Sequence, residues 1–312
     1  MKFNKPDFWD FKKPNFLAKI LLPFTIPVMI NNLLPKKTFY KKNIKTICVG
    51  NIYLGGTGKT TISIKIHKIL KKLNYKVAFI KKNYVNQKDE QNLLKKNGIL
   101  FNNKTRMDSL NKAIAQKINY VIFDDGLQDK NINYDISIVC FNSKNWVGNG
   151  LLIPSGPLRE KIDSLKKYDV VFLNGNNNSN SYIKSLIKRK FPKIIIFEAI
   201  YVPINLNKIN IHKKYLIFSG IGNPESFKTT LQDNKIHVLK SLEYPDHYNY
   251  SNQDINKIKK IAKKINADIL TTEKDYMRLN KTTSKNIKFL KIELKIKNEK
   301  KFINFLKLKI CN

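Results

Sequence analysis

A short apolar run, Lys45 to Val49, leads into Gly50-Asn51-Ile52-Tyr53-Leu54-Gly55-Gly56-Thr57-Gly58-Lys59-Thr60, and a helix-periodic stretch follows from Lys59 to Leu73. Strand, glycine-rich turn and helix in that order point to an α/β chain, because a buried apolar strand needs a sheet and the helix must cover it. The turn also has a chemical use. Glycines let backbone N–H groups turn inward without Cβ clashes, and the helix N-terminus adds partial positive charge. Lys59 is spaced to reach the β/γ-phosphates of a nucleoside triphosphate and the Thr60 hydroxyl to hold Mg²⁺. Gly55, Gly56, Thr57, Gly58, Lys59 and Thr60 are therefore the expected ATP-binding residues. Tyr53 stands where the strict pattern has its first glycine, so Gly55 and Gly56 carry the turn. A glycine-rich turn without a ligand is the plainer reading, and it leaves the ordered lysine and hydroxyl unexplained.

The rhythm continues beyond the loop. Strand-like runs at Val77–Ile80, Tyr120–Phe123, Ile136–Phe141 and Val170–Leu173 alternate with a helical stretch at Met107–Lys117, as in a parallel sheet flanked by helices. After Lys193–Glu198 a polar stretch intervenes, then Tyr215–Ser219 and a helix near Glu225–Gln232 restart the alternation. The expected organisation is an N-terminal interfacial segment (1–40), a P-loop NTPase-like ATP-binding α/β domain (41–205) and a second, smaller α/β domain (206–312), with the boundary near residues 204–212.

The chain has 312 residues, enough for two cored domains, and carries a formal charge of +36. Lysine is spread along the whole length together with asparagine and isoleucine. The charge thus has two readings, attraction to anionic partners or compositional bias. No nucleic-acid motif or aromatic stacking platform is visible, so no nucleic acid is expected as a partner. Cys48, Cys140 and Cys311 share no metal or disulfide spacing and read as core residues in a reducing compartment. No secretory signal is evident. The segment Phe16–Leu34 is rich in Leu, Ile, Phe and Met but is interrupted by Lys19, Pro23, Pro27, Asn31 and Asn32. A bilayer span needs about 20 predominantly apolar residues, so this segment suits an interface better. Lys12, Lys13, Lys19, Lys36, Lys37, Lys41 and Lys42 flank it, and Phe8, Trp9, Phe11 and Phe16 suit a headgroup boundary. Packing on the protein's own core is the alternative.

Three further stretches carry chemistry. Asp124 and Asp125 leave the carboxyl end of a buried strand, where ligands bind in open α/β sheets, and a carboxylate pair there can hold Mg²⁺. The Gly- and Pro-dense run Gly148 to Glu160 delivers Arg159, suited to charge on a transferring phosphoryl group, and Glu160, suited to the metal shell. A structural ion pair is the plainer reading of those two. Among the four histidines, His247 follows Asp246, a carboxylate able to orient it or raise its basicity.

The ordered motifs VGNIYLGGTGKT, DDGLQ, GNGLLIPSGPLRE, SGIGNPESF, YPDHYNYS and TTEKD resemble the tetraacyldisaccharide 4'-kinase (lipid A 4'-kinase) family across nearly the whole chain. The resemblance implies an N-terminal membrane-associating helix ahead of two α/β domains. It also implies a peripheral or monotopic enzyme at the cytoplasmic face of the bacterial inner membrane. Such an enzyme transfers the ATP γ-phosphate, with Mg²⁺, to the 4'-hydroxyl of an acylated glucosamine disaccharide 1-phosphate. Its partners would be that lipid and the anionic membrane surface, with no obligate protein partner. By the same resemblance Asp89, in the stretch Lys88-Asp89-Glu90-Gln91, is the catalytic aspartate working with His247, and Arg106 matches an arginine near substrate phosphate. Lys82-Asn83-Tyr84 stands where the family has Arg-Gly-Tyr, Lys88 and Gln91 replace a glycine and a proline, and Asp129 replaces a histidine. From the chain alone, Asp89 is an acid in a lysine-rich loop. A cargo-partitioning or insertion ATPase is the alternative from another class. It would use the same phosphate loop but has no use for the GNGLLIPSGPLRE and YPDHYNYS motifs.

Overall fold

The computed structural model describes residues 5–35, 44–84, 87–175, 180–280 and 282–310. Strands β1 (Lys45–Gly50), β2 (Val77–Ile80), β3 (Ile99–Phe101), β4 (Tyr120–Asp124), β5 (Ile136–Asn142), β6 (Val170–Asn174) and β7 (Ile195–Pro203) are followed by β8 (Lys214–Ser219), β9 (His237–Glu243), β10 (Asp268–Thr272), β11 (Ile287–Leu290) and β12 (Ile292–Ile296). Helices are α1 (Phe16–Ile20), α2 (Ile26–Leu33), α3 (Lys59–Lys72), α4 (Lys88–Asn97), α5 (Arg106–Ala115), α6 (Asn180–Lys190), α7 (Pro224–Asp233), α8 (Asn252–Lys264), α9 (Glu273–Tyr276) and α10 (Glu299–Ile310).

Among the described residues the strands form an eight-stranded sheet in the order β12-β7-β6-β5-β1-β4-β2-β3 and a four-stranded sheet in the order β11-β10-β8-β9. The pairings from β3 through to β7 are parallel. The central strands β4 and β6 are buried at every position, as strands covered by helices on both faces must be. β1 lies between β4 and β5, while its successor β2 lies beyond β4, so the connections leave β1 toward both sides. That is the switch point at which open α/β sheets bind ligands, and the phosphate loop leaves the sheet there.

By its contacts the chain divides into two compact units: the described parts of 5–84, 94–200 and 294–312 form the larger, and those of 85–93 and 201–293 the smaller. A single boundary near 204–212 therefore does not describe the chain. Residues 87–93 belong with the second half, and residues 294–310 belong with the first. The cause of the return is aromatic packing: Phe302 of α10 meets Phe172 of β6 and Phe197 of β7 edge-on, with ring centroids 5.1 and 5.0 Å apart. Phe302 is fully buried. Phe302→Ala is expected to destabilise the larger unit by about 3–5 kcal/mol, read as a lowered urea midpoint. In the smaller unit, β8 alternates its side chains between two cores. Tyr215 and Ile217 face Phe227 and Leu231 of α7, whereas Leu216 and Phe218 face Ile255 and Ile258 of α8.

The N-terminal segment forms two short helices, with Pro23 and Pro27 each near the start of a new turn. No helix among the described residues is long and apolar enough to cross a membrane. Phe16 is 76% exposed, Phe24 64% and Leu33 81%. Trp9 departs from the interfacial expectation, since it is buried and its indole Nε1 donates to the Pro154 carbonyl at 3.0 Å. The Trp9 carbonyl in turn accepts from Asn149 N at 2.9 Å, and a Cβ on Gly148 (φ +58°) would lie 2.1 Å from that carbonyl. Lys36, Lys37, Lys41, Lys42 and Cys311 lie outside the described residues. Cys48 and Cys140 are buried and free, and burial pushes the Cys48 thiol up to about 12, as suits core residues.

Candidate functional site

In the larger unit the loop from Asn51 to Gly58 joins β1 to α3, and Gly58 caps the helix in a left-handed conformation (φ +81°) that a side chain would strain. Gly55 is likewise at positive φ (+146°) and Gly56 follows it on the turn. Thr57 is buried, and its hydroxyl accepts from Asn51 Nδ2 at 3.0 Å. The Asn174 amide donates to the Thr57 carbonyl. The loop is thus held in shape from behind by two asparagines, each with a buried Oδ1 that lacks a hydrogen-bond partner.

The aspartates at the end of β4 take different partners. Asp124, fully buried, accepts from Thr60 Oγ1 at 3.1 Å and from Ser63 Oγ at 3.3 Å, both on α3, and from Lys81 Nζ at 2.8 Å. Asp125, at φ +63°, lies 3.8 Å from Lys59 Nζ and accepts from Arg159 Nη1 at 2.9 Å and Nη2 at 3.4 Å. Burial pushes the Asp125 pKa up, but Lys59, Arg159 and Lys81 outweigh it and hold the carboxyl down at about 2. Arg159 arrives there because its segment runs along the phosphate loop. Leu54 N donates to the Pro157 carbonyl at 2.8 Å and Arg159 N to the Ile52 carbonyl at 2.7 Å. The same segment touches the N-terminal helices, where Asn32 Nδ2 donates to the Arg159 carbonyl at 2.8 Å.

Glu160, assigned from the sequence to the metal shell, is occupied differently. Its oxygens accept from the Tyr168 hydroxyl at 2.8 and 2.9 Å and from Gln128 Nε2 at 2.8 Å, while Gln128 Oε1 accepts from Arg159 at 3.1 Å. The carboxylate therefore braces Gln128, and through it Arg159. Among the described residues no three His, Cys, Asp or Glu side chains form a ready metal cage. Thr60, Asp124 and Asp125 nevertheless present the hard oxygens that suit Mg²⁺, an ion that usually takes only one or two carboxylates from protein and the rest from phosphate and water. Arg106 donates to Asp129 at 3.2 Å and to the Asp125 carbonyl, so the Asp129 departure supplies a partner for that guanidinium.

In the smaller unit Asp89 lies in the first turn of α4 rather than in a loop, and it is buried. Its Oδ1 is 3.0 Å from His247 Nδ1 and its Oδ2 accepts from Arg278 Nη2 at 2.7 Å. Burial alone would raise the Asp89 pKa, but the His247 hydrogen bond and the charges of Arg278 and Lys274 hold it well below the usual carboxylate range. His247 has positive φ (+58°), fixed by its own N–H donating to the Gly220 carbonyl at 3.1 Å. Lys274 pairs with Glu90 at 3.1 Å. The structure brings together Asp89 and His247, the two residues that the family resemblance pairs, and adds Lys81 and Arg278, which the sequence reading does not single out. Lys81 had one available signal, a lysine directly following the buried strand Val77–Ile80 next to the strand ending in Asp124.

Comparisons with known proteins place the chain in a family. The family model of tetraacyldisaccharide-1-P 4'-kinase matches residues 17–102 and 89–311. A tetraacyldisaccharide 4'-kinase of Pelagibacter ubique is 52% identical over 307 residues, covering 98% of each chain. One of Rickettsia canadensis is 35% identical over 318 residues, covering 96% of this chain and 95% of that one. The crystal structure of LpxK from Aquifex aeolicus, an "apo" form in complex with ATP, shares the fold with a TM-score of 0.65 at 21% identity over 95% of this chain and 96% of that one. The chain belongs to the tetraacyldisaccharide-1-P 4'-kinase family, ATP-dependent kinases of lipid A biosynthesis.

Proposed function

We propose that the work of the 4'-kinase is divided between the two units, with the larger handling the triphosphate and the smaller the acceptor hydroxyl. The carrying observation is the Asp89–His247 pair, a carboxylate on Nδ1 of an imidazole at 3.0 Å, which is the arrangement a group that takes a proton from a hydroxyl requires. Backbone N–H groups from Gly55 to Lys59 receive the phosphates, Lys59 and Arg159 balance charge on the phosphoryl group in transfer, and Gln128 and Glu160 keep Arg159 in place. Thr60, Asp124 and Asp125 would hold Mg²⁺, which neutralises charge on the phosphate oxygens when bound. Phosphoryl transfer asks little covalent chemistry of a protein, so orienting the hydroxyl and screening charge are the residues' main contributions.

The exposed apolar residues of α1 and α2 support binding to the anionic inner-membrane surface, where the acylated disaccharide 1-phosphate resides. They project from a segment tied down by polar contacts through Trp9, Asn32 and Asn149. A peripheral enzyme at the cytoplasmic face follows from this reading. Nothing in the fold or the relatives favours the cargo-partitioning ATPase. The test uses γ-labelled ATP and the acylated disaccharide 1-phosphate in mixed micelles, with and without Mg²⁺. Labelled lipid is expected only with the metal, and its absence under all conditions overturns the proposal. Replacing Phe16, Phe24 and Leu33 by serine is expected to abolish co-sedimentation with anionic vesicles. Unchanged sedimentation would remove the membrane role from this segment.

A further inference from the structure

Arg278 has no assigned part in the chemistry, yet its guanidinium meets three acceptors of the smaller unit. It follows α9, and its side chain is only 6% exposed. Nη2 donates to Asp89 Oδ2 at 2.7 Å, while Nη1 donates to Asp275 Oδ1 at 2.8 Å and to the Gly220 carbonyl at 2.6 Å. Asp275 is fully buried and is itself fixed by Gly220 N at 2.9 Å, the Tyr250 hydroxyl at 2.9 Å and Thr272 Oγ1 at 2.6 Å. The Gly220 carbonyl that meets Arg278 also accepts from His247 N. One rigid circuit therefore sets both members of the Asp89–His247 pair. It draws on SGIGNPESF (Gly220), YPDHYNYS (His247, Tyr250) and TTEKD (Thr272, Asp275).

We propose that Arg278 is a positioning residue: by holding Oδ2 of Asp89 it keeps Asp89 a carboxylate aimed at His247 Nδ1, so that the proton leaving the sugar hydroxyl is carried by the imidazole. This rests on the reading that the pair serves the acceptor hydroxyl. A planar guanidinium suits the task because it forks between two carboxylates in fixed geometry and stays charged. With both Asp89 oxygens engaged, and with Nδ1–H turned toward Oδ1, the imidazole lone pair is on Nε2. In the step, the hydroxyl O–H bond breaks as its oxygen bonds the γ-phosphorus and the bond from that phosphorus to the bridging oxygen breaks. ADP leaves, and the proton remains on Nε2 as an imidazolium facing ionised Asp89. The charged and titratable groups about Asp89 are His247, Arg278 and Lys274, with Glu90, Asp246 and Asp275 as their acidic partners.

The test compares full-length wild type, Arg278→Met and Arg278→Lys by carboxyl ¹³C and imidazole ¹⁵N NMR and by steady-state kinetics. In wild type His247 is expected as the Nδ1–H tautomer, and finding Nε2–H in the free enzyme overturns the assignment. In Arg278→Met, Asp89 is expected to titrate about one pH unit or more higher, toward the usual value of about 4. In the same variant kcat at neutral pH should fall about tenfold or more with KM for ATP unchanged. Arg278→Lys should restore part of each shift. Should the methionine variant not fold, the lysine variant and the wild-type tautomer still decide. A folded Arg278→Met with the wild-type Asp89 titration and kcat overturns the proposal. Wild-type kcat in Asp89→Asn would instead overturn the underlying reading of the pair, and the Asp89 titration would still report on Arg278.

Discussion

Asp89→Asn is expected to slow phosphoryl transfer to the disaccharide about 10³-fold, within the range that positioned acid–base groups contribute, while KM for ATP stays within about twofold. The amide keeps the size of the carboxylate but removes its charge. His247 then loses the carboxylate that faces its Nδ1, and Arg278 loses one of its two anions. His247→Gln is expected to cost a similar factor, because a hydrogen-bonded pair acts as a unit. The double variant is the sharper measurement. If the two residues serve one proton, its rate should lie near that of either single variant rather than at the product of the two losses. Multiplicative losses in steady-state transfer assays would show that they act separately. Near-wild-type rates in both single variants would remove the pair from the chemistry.

What the sequence makes legible follows from how local the cause is. The phosphate loop is legible because glycine freedom, a lysine and a hydroxyl must sit within a few residues of one strand end, and β1, β2 and β4 read as uninterrupted apolar runs because both faces of that sheet are covered. Asp124 and Asp125 are legible for the same reason, since they terminate such a run. The helix at Asp89 is not. Lys88 to Asn97 offers only Leu93 and Leu94 as apolar residues, so its periodicity is too weak to compete with a lysine-rich loop reading. Lys81 is the first of two consecutive lysines after a strand, and nothing near it in the chain names a partner. Register supplies one: Ile80 pairs with Phe123, which brings the next residue beside Asp124. Glu160 carries the right chemistry for a metal, and its partners Tyr168 and Gln128, which meet its oxygens in the structure, lie too far along the chain in sequence for a local pattern to name them. The return of β12 and α10 depends on Phe302 meeting rings from residues 172 and 197, a contact that no window of sequence contains. Non-local ion pairs and long-range packing are thus what pattern reading omits, and Arg278 belongs to that class.

Lys59→Ala is expected to lower kcat/KM for ATP about 10³-fold, roughly 4 kcal/mol of transition-state stabilisation, while leaving folding stability within about 1 kcal/mol. The two parts of that expectation come from its surroundings. Lys59 Nζ is 3.8 Å from Asp125, a separation too long for a strong hydrogen bond, and Arg159 already supplies that carboxylate with donors at 2.9 and 3.4 Å. Removing Lys59 leaves Asp125 paired with Arg159, but it removes the cation at the first position of α3, directly after the loop that receives phosphate. Lys81 has the opposite balance. Its ammonium meets Asp124 at 2.8 Å with both side chains almost wholly buried, so Lys81→Ala leaves an uncompensated carboxylate in the core and is expected to destabilise the protein by about 3–5 kcal/mol. Lys81→Met together with Asp124→Asn should recover much of that stability without recovering activity, because Thr60 then lacks its acceptor carboxylate. Urea unfolding and ATP-dependent kinetics on the same preparations separate the two lysines. Comparable stability losses at positions 59 and 81, or an active Lys59→Ala, would contradict the assignment of one cation to phosphate and the other to the fold.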